Sequence, residues 1–318
     1  MKPKTPPPGK SRPDTDIEMR LRTRFRHTRS LRADRHGSPV RALILALAAF
    51  AATHVGADAL QDAAGAGDQN AQLQLGVEYL KGYARDFNPR QALKWLTRAA
   101  KGGTAEASLR LGEMYQQGHG VRTNGKTAVK WYKRAAADGS TAALLNLASM
   151  YAMGMGVRAN PELSLRYFTR AAEAGSGEAA LNAGLMVARG QGVEPDPAEA
   201  VRFFRMGAEL GDANSAFELG RMYANGAGVQ KDEARGLVML LRAAEQGHAR
   251  AQGLSGVLHA EGRGGPQDDV EAFKWLSLAV VNGADAVAHR DSVAGRLSDD
   301  QRSEAQRRIN TWLVGRSR

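Results

Sequence analysis

The residues that most often carry out protein chemistry are sparse in this 318-residue sequence. It contains no cysteine, which excludes disulfides, zinc sites with cysteine ligands, iron–sulfur clusters and thiol nucleophiles. The seven histidines are scattered without HExxH spacing, and no Gly-x-Ser-x-Gly nucleophile elbow is present. His119, in a turn, and His259, at a core position, are predicted to be structural rather than metal ligands. We therefore predict a protein that is not an enzyme and needs neither a metal nor a cofactor.

The Gly-x-Gly tripeptides resemble phosphate-binding loops but lack the required context. Gly118-His119-Gly120 is one of five copies. A dinucleotide fingerprint needs a strand before the glycines and a helix after them, and no strand pattern precedes any copy. We predict structural turns. The acidic pairs Asp268-Asp269 and Asp299-Asp300 precede helical patterns, where they suit the helix dipole.

These glycines belong to a repeat with a period of 36 residues. A fixed period of this size is typical of a solenoid. One ladder of glycines marks the boundaries of the units: Gly67, Gly103, Gly139, Gly175, Gly211, Gly247 and Gly283.

Each unit has the hydrophobic spacing of two helices. In the first unit, the first helix would bury Ala71, Leu75, Glu78, Tyr79 and Gly82, and the second Ala92, Trp95, Leu96, Ala99 and Ala100. Glu78 is replaced by Met or Leu in later units, so this position is predicted to be in the core. Small residues would let the paired helices approach closely. The sequence thus predicts an all-α, α/α superhelical solenoid.

The repeating pattern resembles the Sel1-like repeat, a relative of the tetratricopeptide repeat. The second unit shows it in full: Ala107, Leu111, Gly112, Tyr115, Gly118, Gly120, Val121, Ala128, Trp131, Tyr132, Ala135, Ala136 and Gly139. Six copies are predicted over 68–283. The sixth departs from the pattern at Ser255, His259 and Gly265. Two further helices are expected over 284–318 as a cap, the last beginning with a capping box at Ser298-Asp299-Asp300-Gln301.

The N-terminal 57 residues have the order of a secretory signal. Residues 1–41 carry 12 Lys/Arg against 4 Asp/Glu, and an apolar run from Ala42 to Ala52 follows. This run is shorter than the roughly 20 residues of a membrane span. Cleavage is expected after Ala57 or Ala59, with Met1 or Met19 as the start and 58–67 as a short linker. The same pattern fits a basic arm before an ordinary buried helix.

Removal of that segment would leave a body close to neutral. Residues 42–318 hold 32 basic and 29 acidic side chains. Such a balance gives no strong electrostatic preference for nucleic acid. We therefore expect a periplasmic or secreted protein that has no stable membrane span and, in its mature form, binds no nucleic acid.

A partner is predicted to bind the concave surface lined by the first helices. The residues opposite the core face form rows along the stack, apolar in the middle with charged residues nearby. Either these rows are free to bind a polypeptide, or tight curvature buries the leucine row against itself. The predicted contact residues are Leu109, Glu113, Leu145, Ser149, Met153, Leu181, Leu185, Arg189, Phe217 and Arg221.

The resemblance implies an adaptor that binds a protein or peptide, in a signalling, envelope-assembly or secretion complex. One alternative is enzymatic, because some Sel1-repeat proteins bind or hydrolyse β-lactams. Those belong to a cysteine-rich subgroup, which this sequence does not match. Another alternative is a cytosolic adaptor whose basic arm binds nucleic acid or an anionic membrane.

Overall fold

A computed structural model describes residues 59–82 and 85–316. Every regular element in these ranges is a helix. Six pairs follow one another, each a first helix and a second helix of 13 residues. The first helices are α1 (Gln69–Lys81), α3 (Ala105–Gln117), α5 (Thr141–Met153), α7 (Gly177–Arg189), α9 (Ala213–Asn225) and α11 (Ala249–Glu261). The second helices are α2 (Pro89–Lys101), α4 (Gly125–Ala137), α6 (Pro161–Glu173), α8 (Pro197–Glu209), α10 (Glu233–Glu245) and α12 (Asp269–Val281).

Helix boundaries recur because the terminating residues recur. Each first helix ends at a glycine in the left-handed conformation, as at Gly118 with φ 81°. Each second helix begins after an Asn or Asp whose side chain accepts a hydrogen bond from the third helical N–H. These N-caps also repeat every 36 residues: Asn88, Asn124, Asn160, Asp196, Asp232 and Asp268.

Within a pair, a glycine of the first helix packs directly on a large side chain of the second. A Cβ at Gly112 would overlap the ring of Tyr132, and one at Gly184 would lie 2.6 Å from Phe204. Tyr132 is fully buried, and Phe204 is nearly so. The close approach expected from the small residues is therefore present, and it forms the two-layer core.

Consecutive repeats also contact one another through the loops between first and second helices. A Cβ at Gly120 would overlap Pro89 of the preceding repeat, and Gly192 similarly abuts Pro161. Most turns between repeats are open, since a Cβ at Gly139 or Gly175 would meet nothing within 4 Å, whereas the turn at Gly247 is covered by Arg316. The two edges of the stack thus differ in packing.

The stretch 58–67 differs from the short linker that the sequence predicts, because residues 59–66 are helical. Ala64 is fully buried and packs in one cluster with Ala71 and Trp95. The side chain of Gln72 donates a hydrogen bond to the Ala64 carbonyl at 3.0 Å. This segment covers part of the apolar surface of the first repeat. The predicted export signal, residues 1–57, lies outside the described residues.

Two helices follow the sixth pair, α13 (Val287–Ala294) and α14 (Asp299–Gly315). The predicted capping box forms, with Ser298 and Gln301 exchanging hydrogen bonds. Helix α14 packs on α12 and buries Ile309. Its far end reaches α10, where the Trp312 indole N–H donates to Glu245 at 3.2 Å. None of the described helices is long and apolar enough to cross a bilayer.

Candidate partner-binding site

The predicted contact residues lie on four successive first helices, α3, α5, α7 and α9. We call the layer formed by the first helices the first-helix face, and that formed by the second helices the second-helix face. The structure places the ten residues in four different situations: four line a common pocket, two pack partly against the core, two are buried, and two form ion pairs within their own helix.

Four of the predicted residues line one pocket between α5 and α7, which we call the α5–α7 pocket. Ser149 and Met153 come from α5, and Leu185 and Arg189 come from α7. The pocket has a volume of about 560 Å³. The Met153 side chain is 67% exposed, and the buried Phe168 of α6 also lines the pocket. An apolar surface thus stays open to solvent beside an arginine.

Leu145 and Leu181 are half-buried and pack against the core while keeping some exposed surface. They occupy equivalent positions on α5 and α7, one turn before Ser149 and Leu185. The apolar row therefore continues from the pocket toward the start of these helices.

Leu109 and Phe217 are buried, with 6% and 5% of their surface exposed, so the structure does not present them to a partner. The ring of Phe217 stacks on His248 of the next repeat at 4.5 Å between centroids. The Arg221 and Arg250 guanidinium groups lie over the same ring at 5.8 and 5.0 Å. At this end of the row, side chains from the neighbouring repeat cover the apolar position.

The three charged residues among the ten differ in whether they form ion pairs. Glu113 accepts a hydrogen bond from Arg110 at 2.9 Å, and Arg110 also pairs with Glu106. Arg221 pairs with Glu218 at 2.8 Å. Arg189 makes no ion pair with any described residue and is exposed. The positive charge at the α5–α7 pocket is therefore not neutralised by any residue within 59–82 or 85–316.

Two histidines of the described residues, His248 and His259, have structural surroundings, whereas His119 and His289 are exposed. His248 caps the N-terminus of α11, where its Nδ1 accepts the Ala251 N–H at 3.1 Å. Burial, and next the charge of Arg250, lower the pKa of His248, so the neutral form is favoured. Burial likewise lowers the pKa of His259. No group of three or more His, Asp or Glu side chains in the described ranges is arranged to hold a metal.

A second pocket, on the second-helix face, was not predicted from the sequence. It lies between α8 and α10, has a volume of about 410 Å³, and includes Ala208, Val238 and Arg242. Arg205, also in its lining, donates to the Tyr223 hydroxyl at 3.1 Å. Val238 is 58% exposed. One feature of the sequence could have indicated this apolar site. The position of Val238 is occupied by Lys or Arg in the other five repeats, at 94, 130, 166, 202 and 274.

Comparison with known proteins agrees with the repeat architecture. The Sel1 repeat model matches six times, at residues 69–104, 105–140, 141–176, 177–212, 213–248 and 249–280. No curated protein matches the chain significantly.

Solved structures with similar folds include a Sel1 repeat protein from Oxalobacter formigenes. It is 32% identical with a TM-score of 0.53, over 66% of this chain and 84% of that chain. A protective antigen of uropathogenic Escherichia coli is 21% identical with a TM-score of 0.42, over 80% of this chain and 78% of that chain. Cysteine rich protein B from Helicobacter pylori is 24% identical with a TM-score of 0.34, over 41% of this chain and 92% of that chain.

Proposed function

The chain belongs to the Sel1 repeat family, and from this premise we propose that it is an exported, non-enzymatic scaffold that holds a partner polypeptide on its first-helix face. Sel1 repeats typically mediate contacts between proteins. The observation that carries the proposal is the α5–α7 pocket, in which exposed Met153 and half-buried Leu185 lie beside unpaired Arg189.

The pocket's chemistry selects the kind of segment that would bind. Met153 offers a flexible apolar surface that adapts to different side chains. Arg189 offers a forked donor suited to a carboxylate. The partner is therefore an extended or helical segment with an apolar side chain and an Asp, Glu or terminal carboxylate close to it.

Selection from a displayed peptide library tests the pocket directly. The enriched peptides should combine apolar and acidic residues and should bind the purified protein measurably. Met153→Asp and Arg189→Glu should each weaken that binding about tenfold or more, because each removes one part of the recognition. Arg122→Glu is the matched control, since Arg122 is exposed and lies outside the pocket.

Capture of a natural partner extends the same test. Charge reversal at Arg189 together with Arg221 should weaken capture of that partner by the mature protein. Equal binding of peptides and partner by wild type and the pocket variants would refute the proposal for this face.

The export part of the proposal has a separate test. The basic segment 1–41 followed by the apolar run Ala42–Ala52 supports cleavage after Ala57 or Ala59. N-terminal sequencing of the protein from its source should find Asp58 or Leu60 as the first residue. An N-terminus at Met1 or Met19 would contradict export and favour the cytosolic adaptor with a basic arm.

A further inference from the structure

Two adjacent second helices carry a concentration of positive charge that the net charge of the chain conceals. Helices α2 and α4 together contain eight Lys or Arg residues and no Asp or Glu. The eight cations, which we call the basic face, are Arg90, Lys94, Arg98, Lys101, Lys126, Lys130, Lys133 and Arg134.

The spacing places these cations on one side of each helix. In α2 they stand at i, i+4, i+8 and i+11, and in α4 at i, i+4, i+7 and i+8, which is one stripe per helix. At 1.5 Å per residue each stripe is roughly 12–16 Å long. All eight side chains are exposed. Because α2 and α4 are second helices of consecutive repeats, the two stripes are neighbours and together form a positively charged surface patch.

No described carboxylate forms an ion pair with any of the eight cations of the basic face. The contacts of its side chains are with a carbonyl and a ring: Arg134 donates to the Lys101 carbonyl at 3.2 Å, and Lys94 and Arg98 lie 5.3 and 4.8 Å from the centre of Trp95. Like charges four residues apart destabilise a helix. The arrangement is therefore unfavourable for the isolated protein and becomes favourable beside a polyanion.

Other helices of the same molecule behave differently. Arg202 pairs with Glu199 in α8, Arg235 with Asp232 at the start of α10, and Lys274 with Glu271 in α12. In α3, which lies between α2 and α4 in the chain, Arg110 forms ion pairs with two glutamates, Glu106 and Glu113. Among the six second helices, α2 and α4 alone contain cations without any Asp or Glu, so positive charge is in excess on the second-helix face of the first two repeats.

We propose that the basic face binds the surface of an anionic phospholipid membrane. Its cations spread over two helices instead of following one line, which matches a planar array of phosphates better than a single strand. The two pockets described above are lined by other residues. Neither pocket would therefore let the basic face recognise an individual side chain or base. The ring that Lys94 and Arg98 lie over, Trp95, is only 7% exposed, and Trp131 of α4 packs against the core, so neither ring offers an open platform for base stacking.

This inference goes beyond the proposed function and does not depend on it. The basic face lies on the second-helix layer, and the α5–α7 pocket is lined chiefly by first helices. A molecule held at a membrane through α2 and α4 keeps its first-helix face available. Clustered Lys and Arg bind anionic leaflets by electrostatic attraction that weakens with salt.

Vesicle flotation with the mature form, residues 58–318, tests the proposal, because the basic segment 1–41 of the full chain would itself bind anionic vesicles. Vesicles of phosphatidylcholine mixed with phosphatidylglycerol should bind the protein at low salt, whereas vesicles of phosphatidylcholine alone should not. The double variant Lys94→Glu/Lys130→Glu should lose about tenfold or more in affinity for the mixed vesicles. The control Arg122→Glu/Arg158→Glu changes net charge equally, at exposed residues outside the basic face, and should stay within about threefold of wild type. Circular dichroism verifies that both variants fold.

Three results would overturn the proposal. Equal loss in both double variants would show that net charge, and not the basic face, determines binding. Equal binding to neutral and anionic vesicles would show that the attraction is not electrostatic. Binding to duplex DNA but not to anionic vesicles, lost in the Lys94/Lys130 variant, would identify the face as a nucleic-acid surface.

Discussion

Gly112 and Tyr132 set the separation of helices α3 and α4. The Tyr132 ring is fully buried against the glycine, and its hydroxyl donates a hydrogen bond to Gln116. Burial, and secondarily the charge of Glu113, raise the pKa of Tyr132, so the phenol stays neutral. A ring held in this way cannot move aside to admit a methyl group.

We therefore expect Gly112→Ala to destabilise the protein. Overpacking costs about 1–3 kcal/mol and outweighs the roughly 1 kcal/mol of helix propensity that alanine gains. Gly253→Ala in α11 is the matched control, because its Cβ would meet its nearest atom at 3.8 Å. Urea unfolding should show a loss for the first variant and none for the second. Equal free energies of unfolding for the two would contradict this packing argument.

His248 gives the protein a stability that depends on pH. Its pKa is lower in the folded than in the unfolded state, so below about pH 6.5 the unfolded chain binds the proton more readily. Stability should therefore fall as the pH drops from 6.5 through the lowered pKa. His248→Asn keeps an N-cap that does not titrate.

Urea unfolding at pH 8 and pH 5 measures the effect of this substitution. The difference in stability between the two conditions should be smaller in His248→Asn than in wild type, with the remainder including His259. A variant that keeps the whole difference would show that His248 does not contribute to it.

Single residues also show where sequence reasoning stops. Helical periodicity alone predicts the row that contains Leu109, Leu145, Leu181 and Phe217. Periodicity gives the direction of a side chain but not what covers it. Phe217 is covered by His248, 31 residues later in the chain, through a contact that depends on the distance between repeats.

At the scale of helices, the second helices owe their starting points to a column of Asn and Asp caps. The Asn124 side chain accepts the Thr127 N–H at 3.0 Å. Thr104, the corresponding residue of α3, makes no such bond with its side chain. Substitutions at these two positions therefore distinguish the stability that a cap hydrogen bond contributes from the effect of replacing a residue that only precedes a helix.

Asn124→Ala should reduce the free energy of unfolding by about 1 kcal/mol, because the Thr127 N–H loses its partner. Thr104→Ala should reduce it by less than about 0.5 kcal/mol. Chemical denaturation of the two variants beside wild type measures both changes. Similar losses would indicate that the cap bond itself adds little to stability.

The helices and their pairing could be predicted because each element repeats six times. A single helix such as α11 has weak amphipathic character by itself. It is nevertheless predicted to be a helix, because its residues align with those of the other first helices. The segment at 59–66 has no counterpart in the repeat, so the repeat pattern cannot predict its helix. The pocket at Val238 forms where one repeat departs from the Lys or Arg of the others, and a pattern of shared residues does not predict such a departure.

At the scale of the whole molecule, the net charge proved a poor guide to local charge. Summed over the chain after residue 41, basic and acidic residues nearly cancel. The fold separates them, because α2 and α4 have no acid while every later second helix contains at least two. A sum over sequence cannot contain this information, since it depends on which helices become neighbours.

The end of the stack is closed by α14, and this closure can be measured. Ile309 is 5% exposed and belongs to the same buried cluster as Trp275 of α12. Ile309→Ala should cost about 2–5 kcal/mol through loss of buried surface and the cavity left behind. The exposed Val314→Ala in the same helix should change stability by less than about 0.5 kcal/mol.

Thermal unfolding followed by tryptophan fluorescence reports on both variants, since Trp312 lies on α14. A lower transition for Ile309→Ala alone would agree with a docked terminal helix. Equal transitions would mean that α14 contributes little to the stability of the stack.

The unequal edges of the stack determine how this molecule can be lengthened or decorated. Where Gly120 meets Pro89 and Gly192 meets Pro161, added residues would force neighbouring units apart. The turns at Gly139 and Gly175 have free space around them, so an epitope tag or a guest domain fits there. Lengthening of the stack itself requires duplication of a complete unit, because residues added within a helix or in a loop between the first and second helices would move a loop glycine away from the preceding second helix.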